Sequence, residues 1–152
     1  MKITFVCTGN TCRSPMLMAM FSDYARKVGF DCVTDSAGIM GGGSPVNPKT
    51  VCVLRARGID VGDYTSKVFD GKLAEESDFV FTMTEEQKRY LSENYKNARV
   101  ECLDLFGGKE VPDPYGMEQN AYDAVGDVFE GMLAGILEYV EKNTEDKKQN
   151  DK

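Results

Sequence analysis

Cys7 and Arg13 are the residues whose types and spacing most directly support chemistry in this chain of 152 residues. They bracket a tight polar loop, Cys7-Thr8-Gly9-Asn10-Thr11-Cys12-Arg13-Ser14, which follows the apolar run Ile3 to Val6 and is closed by Pro15. A cysteine between the end of a buried strand and the start of a helix meets backbone N–H groups and the positive end of the helix dipole. Both favour the thiolate. The same N–H groups bind phosphate oxygens. Arg13 can fold back over the loop and offer its planar fork to two oxygens of a phosphoryl group. The implied reaction is phosphoryl transfer to Cys7, then hydrolysis of the phosphocysteine by water. Arg13 and the N–H groups from Thr8 to Arg13 would stabilise the equatorial oxygens. Inorganic phosphate or sulfate is expected to bind the same loop.

Spacing alone carries little weight in a chain with five cysteines. Context supplies the specificity. Of Cys7, Cys12, Cys32, Cys52 and Cys102, only Cys7 has an arginine six residues later and lies between a strand pattern and a helix pattern. Within the loop, Ser14 reads in two ways, as a hydrogen-bond donor to the sulfur or as the N-cap of the next helix. Gly9 and Asn10 are expected at positive φ, so that successive N–H groups point inward. Cys12 reads either as a packed thiol or as the partner of a reversible disulfide that protects Cys7 from overoxidation.

Composition narrows the chemistry further. The chain has no histidine, which excludes Ser-His-Asp and Cys-His catalysis, histidine-ligated metal sites and phosphohistidine relays. A general acid must come first from Asp or Glu. No C-x-x-C pair offers a metal site, so neither metal nor cofactor is expected. A net charge of −7 and a pI near 4.7 argue against nucleic acid and against an anionic membrane as partners. With no charged-then-apolar leader and no run of membrane-spanning length, the expected setting is soluble and untargeted. Cysteines in odd number without scaffold spacing point to a reducing cytoplasm.

Apolar runs at Ile3 to Val6, Cys32 to Thr34, Phe79 to Thr82 and Val100 to Leu103 alternate with helical patterns. That rhythm predicts an α/β fold, a parallel sheet with helices on both faces. One domain is expected over residues 1–141, followed by a solvated polar tail over 142–152. A first helix is predicted from Pro15 to Lys27 with Met16, Met20, Phe21 and Tyr24 inward and Gly29 past its end. A second has Asn47 as N-cap and Pro48 at its first position, runs to Gly58, turns Val51, Val53 and Leu54 inward and buries Cys52. A helical turn is expected near Asp70, and a helix at Thr84 with Gln87 completing a capping box. The last helix, from about Asn120, carries Val125, Val128, Phe129, Met132, Leu133, Ile136, Leu137 and Val140 along one stripe.

The string from Cys7 to Pro15 resembles the C-x-G-N-x-C-R-S-P signature of the low-molecular-weight protein tyrosine phosphatase superfamily. Looser resemblance appears at Asp35-Ser36-Ala37-Gly38, at Ser77 to Met83 and at Asp113-Pro114-Tyr115. The resemblance implies a four-stranded parallel sheet of order 2-1-3-4 in a three-layer domain, with the site beyond the carboxyl ends of the strands. It implies a phosphorylated protein as substrate and Asp113 as the acid that protonates the leaving group. Read without the family, Asp113-Pro114 is a turn initiator. Asn10 and Ser36 would hold the loop's shape. Where the family often carries a histidine near position 64, this chain has Tyr64, so the buttress is expected to be rewired.

Within the superfamily, bacterial protein-arginine phosphatases carry Thr where tyrosine phosphatases commonly carry an aliphatic residue, and this chain has Thr11. A hydroxyl there can accept from a donor-rich guanidinium; alternatively it bonds only its own loop. Tyr115 is followed by Gly116 rather than a second aromatic, and Ile39-Met40-Gly41 replaces a loop that often holds Trp. Met40 and Tyr115 are expected to wall the pocket. Phosphoarginine is preferred as substrate, with phosphotyrosine a close second. A thiol-linked arsenate reductase shares this fold, but its chemistry needs two further cysteines after the third strand, and the chain has none between Cys52 and Cys102. A noncatalytic phosphate-binding module would have no use for a nucleophile beside an acid.

Overall fold

The structure is a computed structural model that describes residues 1–150, with side chains described through residue 144. Four strands, β1 (Lys2–Cys7), β2 (Val33–Gly38), β3 (Phe79–Thr82) and β4 (Val100–Cys102), form one parallel sheet of order β2-β1-β3-β4. This is the predicted α/β architecture. The sheet's polarity fixes where the site must lie, because all four strands deliver their C-terminal ends to one edge.

Alternation along the strands sorts the core into two layers. Ile3, Phe5 and Cys7 of β1 and Phe79 and Phe81 of β3 join the larger core. That layer is covered by α1 (Arg13–Lys27), α2 (Pro48–Ala56) and α6 (Gln119–Asn150). Phe5 stacks near Phe81 and meets Phe21 of α1 edge-on, with centroids 5.9 and 5.7 Å apart. Val6 and Val80 face the other way, into a smaller core closed by Phe69, Leu73 of α3 (Gly71–Glu76) and Leu91 of α4 (Glu85–Asn94). Thr4 on that face is fully buried and bonds the Ser77 hydroxyl at 2.6 Å. A buried strand end is therefore held rigidly under Cys7.

Local rules account for most element ends. Asn47 caps α2 by accepting from the Lys49 amide, with Pro48 at N1, and Asp70 caps α3 through the Leu73 amide. Thr84 and Gln87 form the predicted reciprocal capping box on α4. Gly29, at φ +77°, ends α1.

Several expectations are corrected. Strand β2 runs to Gly38, past the apolar run that marked it, because backbone pairing with β1 carries it through polar Asp35 and Ser36. Asp35 is satisfied there by ion pairs with Lys2 and Lys67. Cys52 is exposed, on the outer side of α2, and Val51 is only half-buried. Val128 is 42% exposed at the margin of the α6 stripe. Leu17, absent from the predicted inward face, is fully buried, while Tyr24 packs against the larger core as expected. A short α5 (Asp104–Gly107) was not signalled by any cap or periodicity. Where a solvated tail was expected from residue 142, α6 continues to Asn150; no Pro or Gly interrupts the helical run after Gly135. Asp151 and Lys152 lie outside the described residues.

Candidate active site

The loop after β1 is held open by its carbonyls. Cys7 O accepts from the Ile39 amide at 3.0 Å and Thr8 O from the Met40 amide at 3.1 Å. Thr11 O accepts from Asn47 N at 2.9 Å, and Cys12 O from the Thr50 hydroxyl at 3.3 Å. In trans peptides the N–H points opposite the C=O, and no cis peptide occurs among the described residues. Fixing these four carbonyls outward therefore turns the amides of Thr8, Gly9, Cys12 and Arg13 toward the cavity they enclose. That cavity has a volume of about 200 Å³ and is lined by the loop from Cys7 to Arg13 together with Asp113 and Tyr115. Gly38 must be glycine for the same packing, since a Cβ there would sit 2.8 Å from Thr8 O and 2.9 Å from Met40 O.

Cys7 is 2% exposed, and its sulfur accepts from the Asn10 amide at 3.3 Å. Ser14 Oγ lies 2.9 Å from the same sulfur. Asn10 Nδ2 donates to Ser14 Oγ at 2.8 Å, so the serine hydrogen is free to go to the sulfur or, at a longer 3.4 Å, to Ala37 O. The alternative N-cap role of Ser14 is not taken: Cys12 is the cap residue, without a side-chain bond, and Ser14 lies inside the first turn. Of the two residues expected at positive φ, only Asn10 has it, at 58°. Gly9 is not among the positive-φ residues described.

Asn10 is the centre of the buttress and uses all four hydrogen-bonding positions of its amide. Nδ2 donates to Ser14 and to Ser36 Oγ, at 2.9 Å for the latter, while Oδ1 accepts from the Lys67 amide and the Tyr64 hydroxyl. The Ser36 hydroxyl donates to Tyr64 at 2.7 Å, closing a ring of side chains under the loop. Tyr64 thus occupies the place the resemblance gave to histidine. Burial raises its hydroxyl above the ordinary phenol range, so it stays protonated through neutral pH. Tyr64→Phe removes a half-buried hydroxyl, takes one of the two donors from Asn10 Oδ1 and leaves the Ser36 hydroxyl without its acceptor. The expected cost is about 1–3 kcal/mol, or roughly 3–8 °C in Tm, read by thermal unfolding.

Arg13 projects from the start of α1 with its side chain 4% exposed. One terminal nitrogen donates to Val111 O at 2.9 Å and the other lies 3.6 Å from Asp113 Oδ2. Its Nε is buried with no partner among the described residues. An oxyanion beside the loop would satisfy it, which fits the residue to phosphate. Asp113 is half-exposed at the rim, and its Oδ1 also accepts the Tyr115 amide at 3.1 Å. Its turn-forming and rim positions thus coexist.

The predicted pocket residues divide. Thr11 and Tyr115 line the Cys7 cavity, Tyr115 being 71% exposed. The described bond of the Thr11 hydroxyl is a long contact of 3.7 Å to Cys12 Sγ. Met40 lies instead in a neighbouring cleft that shares Thr8, Arg13 and Asp113 with the cavity. Cys12 is buried, lies 3.4 Å from the Tyr122 hydroxyl, and its thiol is pushed up by burial.

One side chain was read for a structural role alone. Gln87 accepts from the Met83 and Thr84 amides, and its Nε2 donates to Thr8 Oγ1 at 3.0 Å. Because Gln87 donates, the Thr8 hydroxyl keeps its own hydrogen for the cavity side. The capping box at the carboxyl end of β3 was the available signal, since that edge is where α/β sheets place ligands.

The model of the low molecular weight phosphotyrosine protein phosphatase family matches residues 2–147. The chain belongs to that family. A cysteine-dependent protein phosphatase, the activity expected from the loop, follows from this membership. The chain is 30% identical over 149 residues to the protein-arginine-phosphatase of Bacillus subtilis, covering 94% of this chain and 99% of the relative. It is 29% identical over 144 residues to the low molecular weight protein-tyrosine-phosphatase Ptp of Acinetobacter johnsonii, covering 91% and 97%. A YwlE arginine phosphatase structure, a cysteine-to-serine mutant with a phosphorylated active-site serine, superposes at a TM-score of 0.87 with 30% identity over 93% of this chain and 97% of that one. The low molecular weight protein tyrosine phosphatase from T. tengcongensis gives 0.86 with 32% identity over 91% and 99%.

Proposed function

We propose that the chain is a cytoplasmic protein-arginine phosphatase, with Cys7 as nucleophile and Asp113 as general acid. The carrying observation is that Cys7 lines a cavity together with Thr11, Arg13 and Asp113, with Ser14 Oγ 2.9 Å from the Cys7 sulfur. The Cys7 sulfur attacks phosphorus and the P–N bond breaks toward nitrogen. The departing guanidine takes the Asp113 proton. Water, deprotonated by the Asp113 carboxylate, then attacks the phosphocysteine, and sulfur leaves as a thiolate received by the Asn10 amide and the Ser14 hydroxyl. Arg13 and the loop amides hold the three equatorial oxygens in both steps. Free phosphate or sulfate would bind in the same place. The phosphorylated serine in the cysteine-to-serine YwlE structure supports the covalent step.

Thr11 supports phosphoarginine as substrate. A guanidinium presents only donors, so a pocket that accepts it needs oxygens, which Thr11 and Asp113 supply. The relatedness to a protein-arginine-phosphatase over nearly the whole chain supports the same reading. The second reading, phosphotyrosine, is favoured by exposed Tyr115 at the cavity rim, a face on which a phenyl ring could stack. Phosphate release from matched phosphoarginine and phosphotyrosine peptides under reducing conditions separates them. The expected result is a phosphoarginine preference that Thr11→Val lowers by about 10–100-fold in kcat/KM, with phosphotyrosine turnover little changed. A phosphotyrosine preference in the unmodified protein overturns the arginine reading.

Cys12 is proposed as a redox partner of Cys7. Peroxide converts the Cys7 thiolate to a sulfenic acid, and attack by Cys12 sulfur expels its oxygen as water and closes a disulfide. Proximity in one loop supports this; the burial that disfavours the Cys12 thiolate slows it. Peptide mapping after peroxide is expected to show a Cys7–Cys12 linkage, and its absence removes the role.

A further inference from the structure

The cleft beside the Cys7 cavity is larger than the cavity itself, about 580 Å³ against about 200 Å³. The two are contiguous, since Thr8, Arg13 and Asp113 line both. A phosphoryl group on Arg13 would therefore leave the rest of its protein at the mouth of this cleft. The walls are apolar: Ile39 and Met40 follow β2, Tyr90 comes from α4, and Pro112 from the segment that carries Asp113. Met40 and Tyr90 are both exposed large apolar side chains, at 61% and 44%. Isolated exposed residues need no explanation, but two of them facing one cleft at a reaction site form a surface for a ligand.

The rim has one sign of charge. Glu86 and Glu110 line the cleft with Asp113, and Arg13 is the only cation among its described lining residues. Once Arg13 is engaged by a phosphoryl group and Asp113 carries the proton it will donate, the carboxylates of Glu86 and Glu110 remain without a cation among the described lining residues of the cleft. Further carboxylates crowd its edge: the Glu110 carboxylate accepts the Glu85 amide, and Asp104 lies against Glu85. The Glu85 carboxyl is raised by its hydrogen bond to Asp104, with the charges of Asp104 and Glu110 acting in the same direction and the nearby Lys88 only partly opposing them. Crowded like charges of this kind are relieved by a cation brought in from outside.

Given the phosphatase reading, we infer that this cleft seats a lysine or arginine side chain that neighbours the phosphorylated residue in the protein substrate. The aliphatic stem would lie along Met40 and Tyr90 while the charged head reaches Glu86 and Glu110, the division of labour that long cationic side chains adopt. The Tyr90 ring adds a cation–π surface for the same head. An acidic neighbour in that position meets only like charge, so the cleft selects by rejection as well as by attraction.

The test is a set of phosphopeptides differing only by Lys or Glu at each of the two positions on either side of the phosphorylated residue. They are assayed with the full chain and with Glu86→Gln/Glu110→Gln. The Glu110→Gln change keeps an acceptor oxygen for the Glu85 amide, so the double variant preserves that backbone contact. A ratio of kcat/KM for Lys over Glu cancels any general change in folding or chemistry. At one or more positions the ratio is expected to reach about tenfold, to fall with added salt, and to drop to about twofold in the double variant. Equal rates at every position, or a ratio that the double variant leaves intact, overturn the inference while the phosphatase reading stands. No Cys7-dependent turnover of any peptide would strike that reading itself.

Discussion

Cys7→Ser is expected to lower phosphate release from phosphoarginine and phosphotyrosine peptides alike by at least about 10⁴-fold while leaving the fold intact. A serine hydroxyl at neutral pH is a poor nucleophile unless a base removes its proton. None is available here: the chain has no histidine, and the carboxyl at the rim must enter the first step as an acid. The groups in contact with the sulfur, the Asn10 amide and the Ser14 hydroxyl, can stabilise an anion by hydrogen bonding, but neither is a base that takes a proton at neutral pH. An oxygen is also a worse leaving group than sulfur, so any phosphoryl group that reached it would remain. Intact-mass spectrometry after incubation with a phosphopeptide, with circular dichroism as a folding control, reads both effects. Retention of more than a hundredth of the activity would remove Cys7 from the nucleophile's role.

Asp113→Asn is expected to separate substrates by their leaving groups. A guanidine cannot depart as an anion, so cleavage of the P–N bond needs a proton delivered to nitrogen, and loss of the donor should cost about 10²–10⁴-fold on a phosphoarginine peptide. A nitrophenyl phosphate releases a stabilised phenolate that needs little assistance; there the loss should be less than about tenfold. Asparagine keeps the acceptor oxygen for the Tyr115 amide, so the turn at Asp113-Pro114 survives. It also removes the negative charge 3.6 Å from Arg13, which should leave phosphate affinity undiminished. Single-turnover kinetics on both substrates, with the affinity for inorganic phosphate measured alongside, decides the matter. An equal loss on both substrates would point to damaged loop geometry rather than a missing proton.

The loop from Cys7 to Ser14 was legible as a candidate site because its residues are close in sequence. Strand, loop and helix follow one another without interruption from Lys2 to Lys27, and the residue types in between have few other uses in that order. The caps at Asn47, Asp70 and Thr84 were legible for the same reason, being satisfied within three residues. What could not be read were contacts that close only through the fold. Val111 O on Arg13 spans 98 positions and Gln87 on Thr8 spans 79. The ring of Asn10, Ser36 and Tyr64 likewise joins three segments. Met40 was assigned to the right neighbourhood and found in the adjoining cleft, because the backbone that follows Gly38 is dictated by pairing with Cys7 and Thr8. Val128 and Cys52 failed as core residues where a helical stripe reached its edge, a distinction that depends on neighbouring elements.

The tyrosine in the buttress carries a consequence for the conditions under which the enzyme keeps its shape. A histidine in that ring would gain or lose a proton within the span of ordinary intracellular acidification, and each change would reverse a donor or an acceptor beneath Cys7. Tyr64, with its proton held more tightly than a free phenol holds one, passes through that span unaltered. Its contribution to folding is constant below the ordinary phenol range and changes only in strong alkali, where the unfolded chain ionises first. Acid stress can therefore change the rate of this enzyme through its reacting groups, while the ring of Asn10, Ser36 and Tyr64 gains and loses no proton.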